Sequence, residues 1–348
     1  MSNSTKFNTY FAAANGYSGF RSYFNTVFSP DEYTRIYVLK GGPGTGKSSL
    51  MKKVGTHFKN LGFGTESILC SSDPSSFDGV IIHKQSKKFA IIDGTAPHEV
   101  DAKIPGALDE IINLGEAWDR DKLTREREQI IKINKSKKTH YKNAYEFLKL
   151  AGEFAPKTKS FSEAYLVDCQ KSISSILSDL PGKKRGRKPK IKLISSFGKT
   201  GYRTLDTSFL EAERQISVIG CHGSESVFME CLRSASQSSG IEYTLFPSPL
   251  SHDVIEAIYF EDADMLISTR ISSENKIDTS LFSYSPCKNE NTEYYEKLHG
   301  ELTSQAKEEF AQASSAHFEL EAIYTPAMDF EKVDKIRNEI VRDIEAQL

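Results

Sequence analysis

RIYVLKGGPGTGKSSLMKKV, residues 35–54, joins an apolar run to an amphipathic one through a glycine-rich turn. The run Ile36 to Leu39 predicts a buried strand, and Leu50, Met51, Val54 and Phe58 recur at helical spacing. Between them stand Gly41, four residues, then Gly46, Lys47 and Ser48, the Walker A pattern in its strand, loop and helix context. Gly42, Gly44 and Gly46 let the backbone wrap closely around an anion, so that successive N–H groups point inward at phosphate. Lys47 is expected to reach the β and γ phosphates and Ser48 to ligate Mg²⁺, while the following helix presents its positive end. The predicted nucleotide-binding set is therefore Gly41, Gly42, Pro43, Gly44, Thr45, Gly46, Lys47, Ser48 and Ser49, and the expected cofactors are ATP and Mg²⁺.

A second apolar run, Phe89 to Asp93 (FAIID), follows the loop by about 45 residues. Four apolar residues ending in an acid have the Walker B form, in which Asp93 holds Mg²⁺ directly or through water. Gly94 follows it, where many ATP-hydrolysing machines carry a glutamate that activates water. The catalytic candidates are then Lys47 and Asp93 with Asp73, His98 and Glu99. Asp73, in CSSDP after the strand-like GTESILC, sits where small-molecule kinases of the P-loop class often keep a base; equally, it could cap a turn before Pro74.

The chain repeats itself. QISVIGCHGSESVFMECL (215–232) aligns with RIYVLKGGPGTGKSSLMKKV once its loop is shortened by two residues, placing Val218 on Val38, Ser226 on Ser48 and Met229 on Met51. Flanking segments agree: SSGIEYTLFPSP resembles NLGFGTESILCSSDP, and DMLISTR resembles FAIIDGT, at a spacing of about 178 residues. The chemistry differs, with Glu225 at the Lys47 position, Ser224 at Gly46 and Ser268 at Asp93. A glutamate facing phosphate repels it, so the second copy is expected to be a pseudo-site.

Each half also ends in amphipathic helices read as an αα-hairpin, over about 119–180 and 290–348. The domain reading is an active half at 1–180, a linker at 181–192 and a degenerate half at 193–348. The linker PGKKRGRKPKIK is basic from Lys183 to Lys192 and its RGRKPK core resembles an AT-hook, so nucleic acid is a candidate partner beside the simpler reading of a solvated connector. Globally, 45 Lys plus Arg against 47 Asp plus Glu give no field that would draw a polyanion. Five scattered cysteines without a CxxC pair fit reduced thiols. The polar start and the lack of an apolar run near the ~18 residues of a span predict a cytoplasmic protein with no membrane partner. The helical stripes are read as core or as a surface for a second subunit, making a homo-oligomer a candidate. Arg120, Arg125 and Arg270 are candidate arginine fingers.

The loop KGGPGTGKSSLMKKV, CSSDP, IIDGTAPHEVD with PGALDEIINLGEAWD, and AMDFEKVDKIR near the end together resemble a bacterial family of tandem P-loop ATPases, some labelled nucleotide kinases. The similarity spans nearly the whole chain and implies nucleotide binding and hydrolysis. The second loop departs from the GPPGTGKS-like form that such proteins often keep. The expected fold is α/β, with two tandem P-loop NTPase-like domains of parallel sheets, each followed by its hairpin. The expected activity is that of an ATPase with one working site; a kinase acting on a nucleotide or other small-molecule acceptor, and a nucleotide-gated nucleic-acid binder, are the alternatives.

Overall fold

The computed structural model describes residues 8–97, 99–155, 163–180, 189–205, 212–220, 223–282 and 292–348. The first half runs β1 (Thr9–Phe11), a hairpin of β2 (Ala13–Gly16) and β3 (Gly19–Ser22), short α1 (Phe24–Val27), β4 (Arg35–Lys40), α2 (Lys47–Asn60), β5 (Gly64–Leu69), β6 (Phe77–Lys84), β7 (Lys87–Asp93) and β8 (Asp109–Asn113). Then come α3 (Arg120–Arg125), the long α4 (Arg127–Phe154) and α5 (Glu163–Ser178). Six strands form one sheet in the order β1-β5-β6-β7-β4-β8.

The expectation of parallel sheets is corrected to mixed ones. β4 runs parallel to β7 and β8, and β1 to β5, but β6 is antiparallel to both β5 and β7. The connection dictates this: Lys84 pairs with Lys87, leaving two loop residues, and Gln85 adopts φ 54°. Two residues make a hairpin, whereas a parallel crossover needs a dozen or more.

The second half repeats the plan with β9 (Lys190–Ile191), the hairpin β10 (Ser195–Gly198) and β11 (Gly201–Thr204), β12 (Arg214–Ile219), α6 (Ser224–Ser238), β13 (Thr244–Pro247), β14 (Ile255–Phe260), β15 (Met265–Ser268) and β16 (Lys276–Asp278). Its sheet order, β16-β12-β15-β14-β13-β9, is that of the first sheet, with the same sense at every pairing. Even the irregularity recurs, between Ile68 and Leu69 in one half and between Phe246 and Pro247 in the other. The two sheets meet edge to edge through an antiparallel bridge in which Phe11 and Leu193 exchange both backbone hydrogen bonds at 2.9 and 3.0 Å. Phe11 and Leu193 are equivalent residues, so a pseudo-twofold axis passes between them, as in an isologous dimer interface. The basic stretch thus ends inside the second sheet, since Lys190 belongs to β9; residues 181–188 lie outside the described residues.

In place of two hairpins, the halves exchange helices. α4 lies antiparallel to α7 (Thr292–Tyr324), with Ile133 against Ala316 and Leu320, and Ala144 and Leu148 against Ala306 and Phe310. α5 packs its buried face, Tyr165, Cys169, Ile173 and Ile176, into the core of the second sheet. Reciprocally, Val333, Ile340 and Ile344 of α8 (Phe330–Ala346) join Tyr37, Leu39, Leu50, Met51, Val54 and Phe58 under the first sheet. An amphipathic stripe says that a helix buries a face but not which element covers it. Here the cover comes from the other half, and each half's core is completed by its neighbour. No helix among the described residues is long and apolar enough to cross a membrane.

Candidate functional site

β4 ends at Lys40 and α2 begins at Lys47, and the glycines between them carry the turn. Gly44 (φ 69°) and Gly46 (φ 84°, the N-cap of α2) adopt left-handed conformations that an L side chain resists. Thr45, fully buried, donates from Oγ1 to the Gly42 carbonyl at 2.8 Å and staples the turn. Lys47 spans the loop: its Nζ donates to the carbonyls of Gly41 and Gly42 at 2.6 and 2.9 Å. The Ser48 hydroxyl oxygen accepts from the Phe77 N–H at 2.9 Å, tying the start of α2 to β6. Pro43 and Ser49 complete the predicted set, with Ser49 exposed at the helix entrance.

Register brings Asp93, the predicted Walker B acid, to this loop. β7 runs parallel beside β4 with Leu39 opposite Asp93, so Asp93 emerges level with the turn. Its Oδ2 lies 3.7 Å from Lys47 Nζ, and its Oδ1 accepts from the N–H and hydroxyl of Thr95 at 2.9 and 2.5 Å. Burial pushes the Asp93 carboxyl above its ordinary range, against the opposing pull of Lys47 and the Thr95 bonds.

Sequence reading missed Asp78. It is the extra residue of the β-bulge in β6, between Phe77 and Gly79, buried and across the ladder from Asp93, whose pKa its charge also raises. Bulges beside active sites commonly re-aim a side chain. The available signal was an acid in the apolar run FDGVIIH, which carries charge where a central strand ought to be uniformly apolar.

Among the described residues no group of three or more His, Cys, Asp and Glu side chains could hold a metal ion alone. Mg²⁺ does not need one, since it binds through one or two protein oxygens plus phosphate oxygens and water. Ser48 and Asp93 are the residues that would hold it, and the Asp93 carboxylate with the Ser48 hydroxyl is an oxygen donor set that suits a hard cation.

The other candidates fall elsewhere. Asp73 accepts from Lys199 Nζ of the β10–β11 turn at 2.7 Å and from the N–H and hydroxyl of Ser75 at 3.1 and 2.7 Å. Burial pushes its carboxyl up, but these bonds outweigh burial and hold it below its ordinary range. That is a capped turn and an ion pair between halves, poor surroundings for a proton acceptor. Glu99 is exposed on the loop after β7, which Lys40 fastens by donating to the carbonyls of Gly94 and Val100 at 2.9 and 2.8 Å. His98 lies outside the described residues. Arg120 and Arg125 are exposed on α3.

The second half covers the loop. A Cβ on Gly42 would stand 3.5 Å from the Tyr324 ring and 3.7 Å from Trp118; one on Gly44 would stand 2.7 Å from Thr325 Oγ1 and 3.2 Å from the Glu321 carbonyl. One on Gly46 would meet Phe330 at 3.4 Å. These glycines therefore also admit the end of α7 and the start of α8 against the outer wall of the turn.

At the repeated loop, counting along the buried faces sets Phe228, Met229 and Leu232 on Leu50, Met51 and Val54, which keeps Glu225 at the Lys47 position. Glu225 Oε2 is buried and lies 3.1 Å from where a Cβ on Gly220 would stand, so a carboxylate is folded back over the start of the loop. Ladder register corrects two equivalences: Ser217 faces Ser268 as Val38 faces Ile92, so Ser217 rather than Val218 stands where Val38 does, and Ala257 faces Ser268 as Gly79 faces Ile92, so Thr269 rather than Ser268 stands where Asp93 does. The residue is neutral either way. Glu256, fully buried, occupies the same bulge position as Asp78 and is met by Arg270 Nη2 at 3.1 Å and by the Tyr202 hydroxyl. Arg270 therefore serves as an internal counter-ion in the second half and does not reach the first loop's site as a finger.

This pair makes a prediction. Arg270→Met leaves a buried carboxylate without its cation, at a cost of about 2 kcal/mol, below the ~3–5 kcal/mol of fully buried pairs because Arg270 is 38 % exposed. Burial already raises the Glu256 pKa, with Arg270 opposing. In the variant the folded-state pKa rises further above the unfolded one, so the penalty is present at neutral pH and fades as acid protonates Glu256. Urea melts of both proteins at pH 7 and pH 5 should show the gap narrowing at pH 5; an equal gap at both would contradict it.

Of the basic stretch, the described lysines are engaged within the molecule. Lys190 pairs with Glu261 at 3.3 Å, and Lys192, half-buried, pairs with Glu66 at 2.9 Å. Cys70, Cys169 and Cys231 are free thiols. No family model, curated protein or solved structure matches the chain.

Proposed function

We propose that the protein is a Mg-ATP-dependent NTPase with one working nucleotide site, in the N-terminal half, and a C-terminal half that acts on that site through the helices it lays against it. The carrying observation is the convergence at the end of β4: a glycine turn with Lys47 at its mouth and Asp93 3.7 Å from the ammonium. A phosphate chain entering the turn would draw Lys47 off the carbonyls of Gly41 and Gly42, and Mg²⁺ would bridge it to Ser48 and Asp93. The resemblance of KGGPGTGKSS and IIDGTAPHEVD to tandem P-loop ATPases supports the same reading. Glu225 speaks against a second triphosphate, and the engagement of both Asp73 oxygens favours hydrolysis over transfer to an acceptor.

The test is calorimetric titration of the full chain with ATP and Mg²⁺, with phosphate release followed in parallel. One site per chain is expected, with release that needs no added acceptor. Absence of binding at millimolar ATP would sink the reading, and release that appears only with an added metabolite would turn it into a kinase.

A further inference from the structure

Three side chains outside the predicted set form a chain that ends at the phosphate loop. Lys137, half-buried on α4, has its Nζ 3.0 Å from His317 Nδ1 on α7. An ammonium only donates, so Nδ1 accepts and the ring proton sits on Nε2. Nε2 in turn lies 3.4 Å from Glu321 Oε1, one turn further along α7. Glu321 is the residue whose backbone stands against Gly44, with its carbonyl 3.2 Å and its Cα 3.3 Å from a Cβ placed there. The series Lys137, His317, Glu321, Gly44 thus crosses from the first half to the second and back to the loop.

The contacts through His317 and Glu321 set the ammonium on the side of α4 that faces α7 and the loop. After burial, the charge of Lys47 is the next influence holding Lys137 below its ordinary pKa, while Cys70, at the end of β5, and Glu321 act in the opposite direction. The hydrogen bond from His317 holds the Glu321 carboxyl below its ordinary range, with the Gly44 amide and Lys47 adding to it. The like charges of Lys47 and Lys137 disfavour each other, and an anion between them would offset that repulsion.

We propose that Lys137 is a second phosphate-binding cation of this site, one that recognises the terminal phosphate of a nucleoside triphosphate and is positioned by His317 and Glu321. The inference rests on the nucleotide-site reading above. When the terminal phosphate arrives, Lys137 turns from His317 toward it, and the Glu321 carboxylate, repelled by the same charge, withdraws from Gly44. Both movements act on the α4–α7 contact, so the helix pair that joins the halves reads whether the site holds a triphosphate or a diphosphate. His317 and Glu321 are positioning residues and need not touch the nucleotide.

Lys137→Met keeps the length of the side chain and removes the charge. The full-length variant, with its melting temperature compared to the parent, is titrated with MgATP and separately with MgADP, beside Lys47→Ala. Loss of one charge-assisted phosphate contact predicts a fall in ATP affinity of about tenfold or more, with ADP affinity changed less than about threefold and turnover reduced. His317→Ala should raise KM for ATP more than it lowers kcat, and His317→Asn, which keeps an acceptor near Nδ1, should recover most of that loss. ATP and ADP weakening equally in Lys137→Met, or neither weakening while Lys47→Ala loses both, overturns the inference alone. Unimpaired ATP binding by Lys47→Ala overturns the nucleotide-site reading and takes this inference with it.

Discussion

Lys47→Ala is expected to remove measurable ATP binding at micromolar nucleotide and to cut phosphate release by on the order of 10²–10³-fold, the range seen when one preorganised donor to developing charge is lost. The expectation follows from where the side chain sits. Lys47 Nζ is held by two carbonyls at the mouth of the turn and faces Asp93, so its charge is kept in place by the protein and not left to solvent. Once it is gone, Asp93 would confront the phosphates without the cation beside it, and attraction becomes repulsion. Stability is expected to move in the other direction or hardly at all, because the deleted group leaves no apolar cavity and its carbonyl partners can turn to water. A variant that folds normally and has lost nucleotide is the signature; a variant that retains parental turnover would remove the basis of the proposed function.

Much of this site was legible in the sequence because its signals are local. Gly41 to Ser48 require left-handed turns at Gly44 and Gly46, and no other residue types would serve that backbone so well. The Asp93 position was readable because a strand ending in an acid follows the loop at a sensible distance. The duplication was legible for a similar reason: Met51 and Met229 lie within runs whose order is kept.

What escaped was every feature set by pairing at a distance. The antiparallel course of β6 depends on a two-residue turn at Gln85, in a polar stretch that reads equally as a loop. Asp78 acquires its meaning only from a bulge that sets it across the ladder from Asp93. Lys199 reaches Asp73, and Glu321 reaches Gly44, only because the halves close about a pseudo-twofold axis. Periodicity fixes which face of α5 or α8 is apolar; it contains no information about which sheet that face will meet.

That last point carries the largest expected effect on folding. Residues 1–180 look like a complete unit by sequence, yet produced alone they are expected to give no cooperative unfolding transition and to associate or aggregate. The fragment lacks Val333, Ile340 and Ile344, which are at most 5 % exposed under the first sheet. At about 1.5–3 kcal/mol for each buried aliphatic side chain, their absence withdraws roughly 5–9 kcal/mol, comparable with the 5–15 kcal/mol that keeps a whole domain folded. It also strands the buried face of α5, whose partners Phe228, Met229 and Leu232 belong to the second half. The Tyr37 hydroxyl would lose the Asp343 carboxylate that it meets at 2.5 Å. Producing 1–180 together with 189–348 as separate chains should restore a soluble pair that copurifies, since the exchanged helices supply the recognition. Within the intact chain, Ile344→Ala is expected to cost about 2–5 kcal/mol and to lower the melting temperature of the first half although residue 344 lies at the far end of the sequence. A soluble, monomeric 1–180 fragment that melts cooperatively and binds ATP would show that α8 is an accessory to the first core and not part of it.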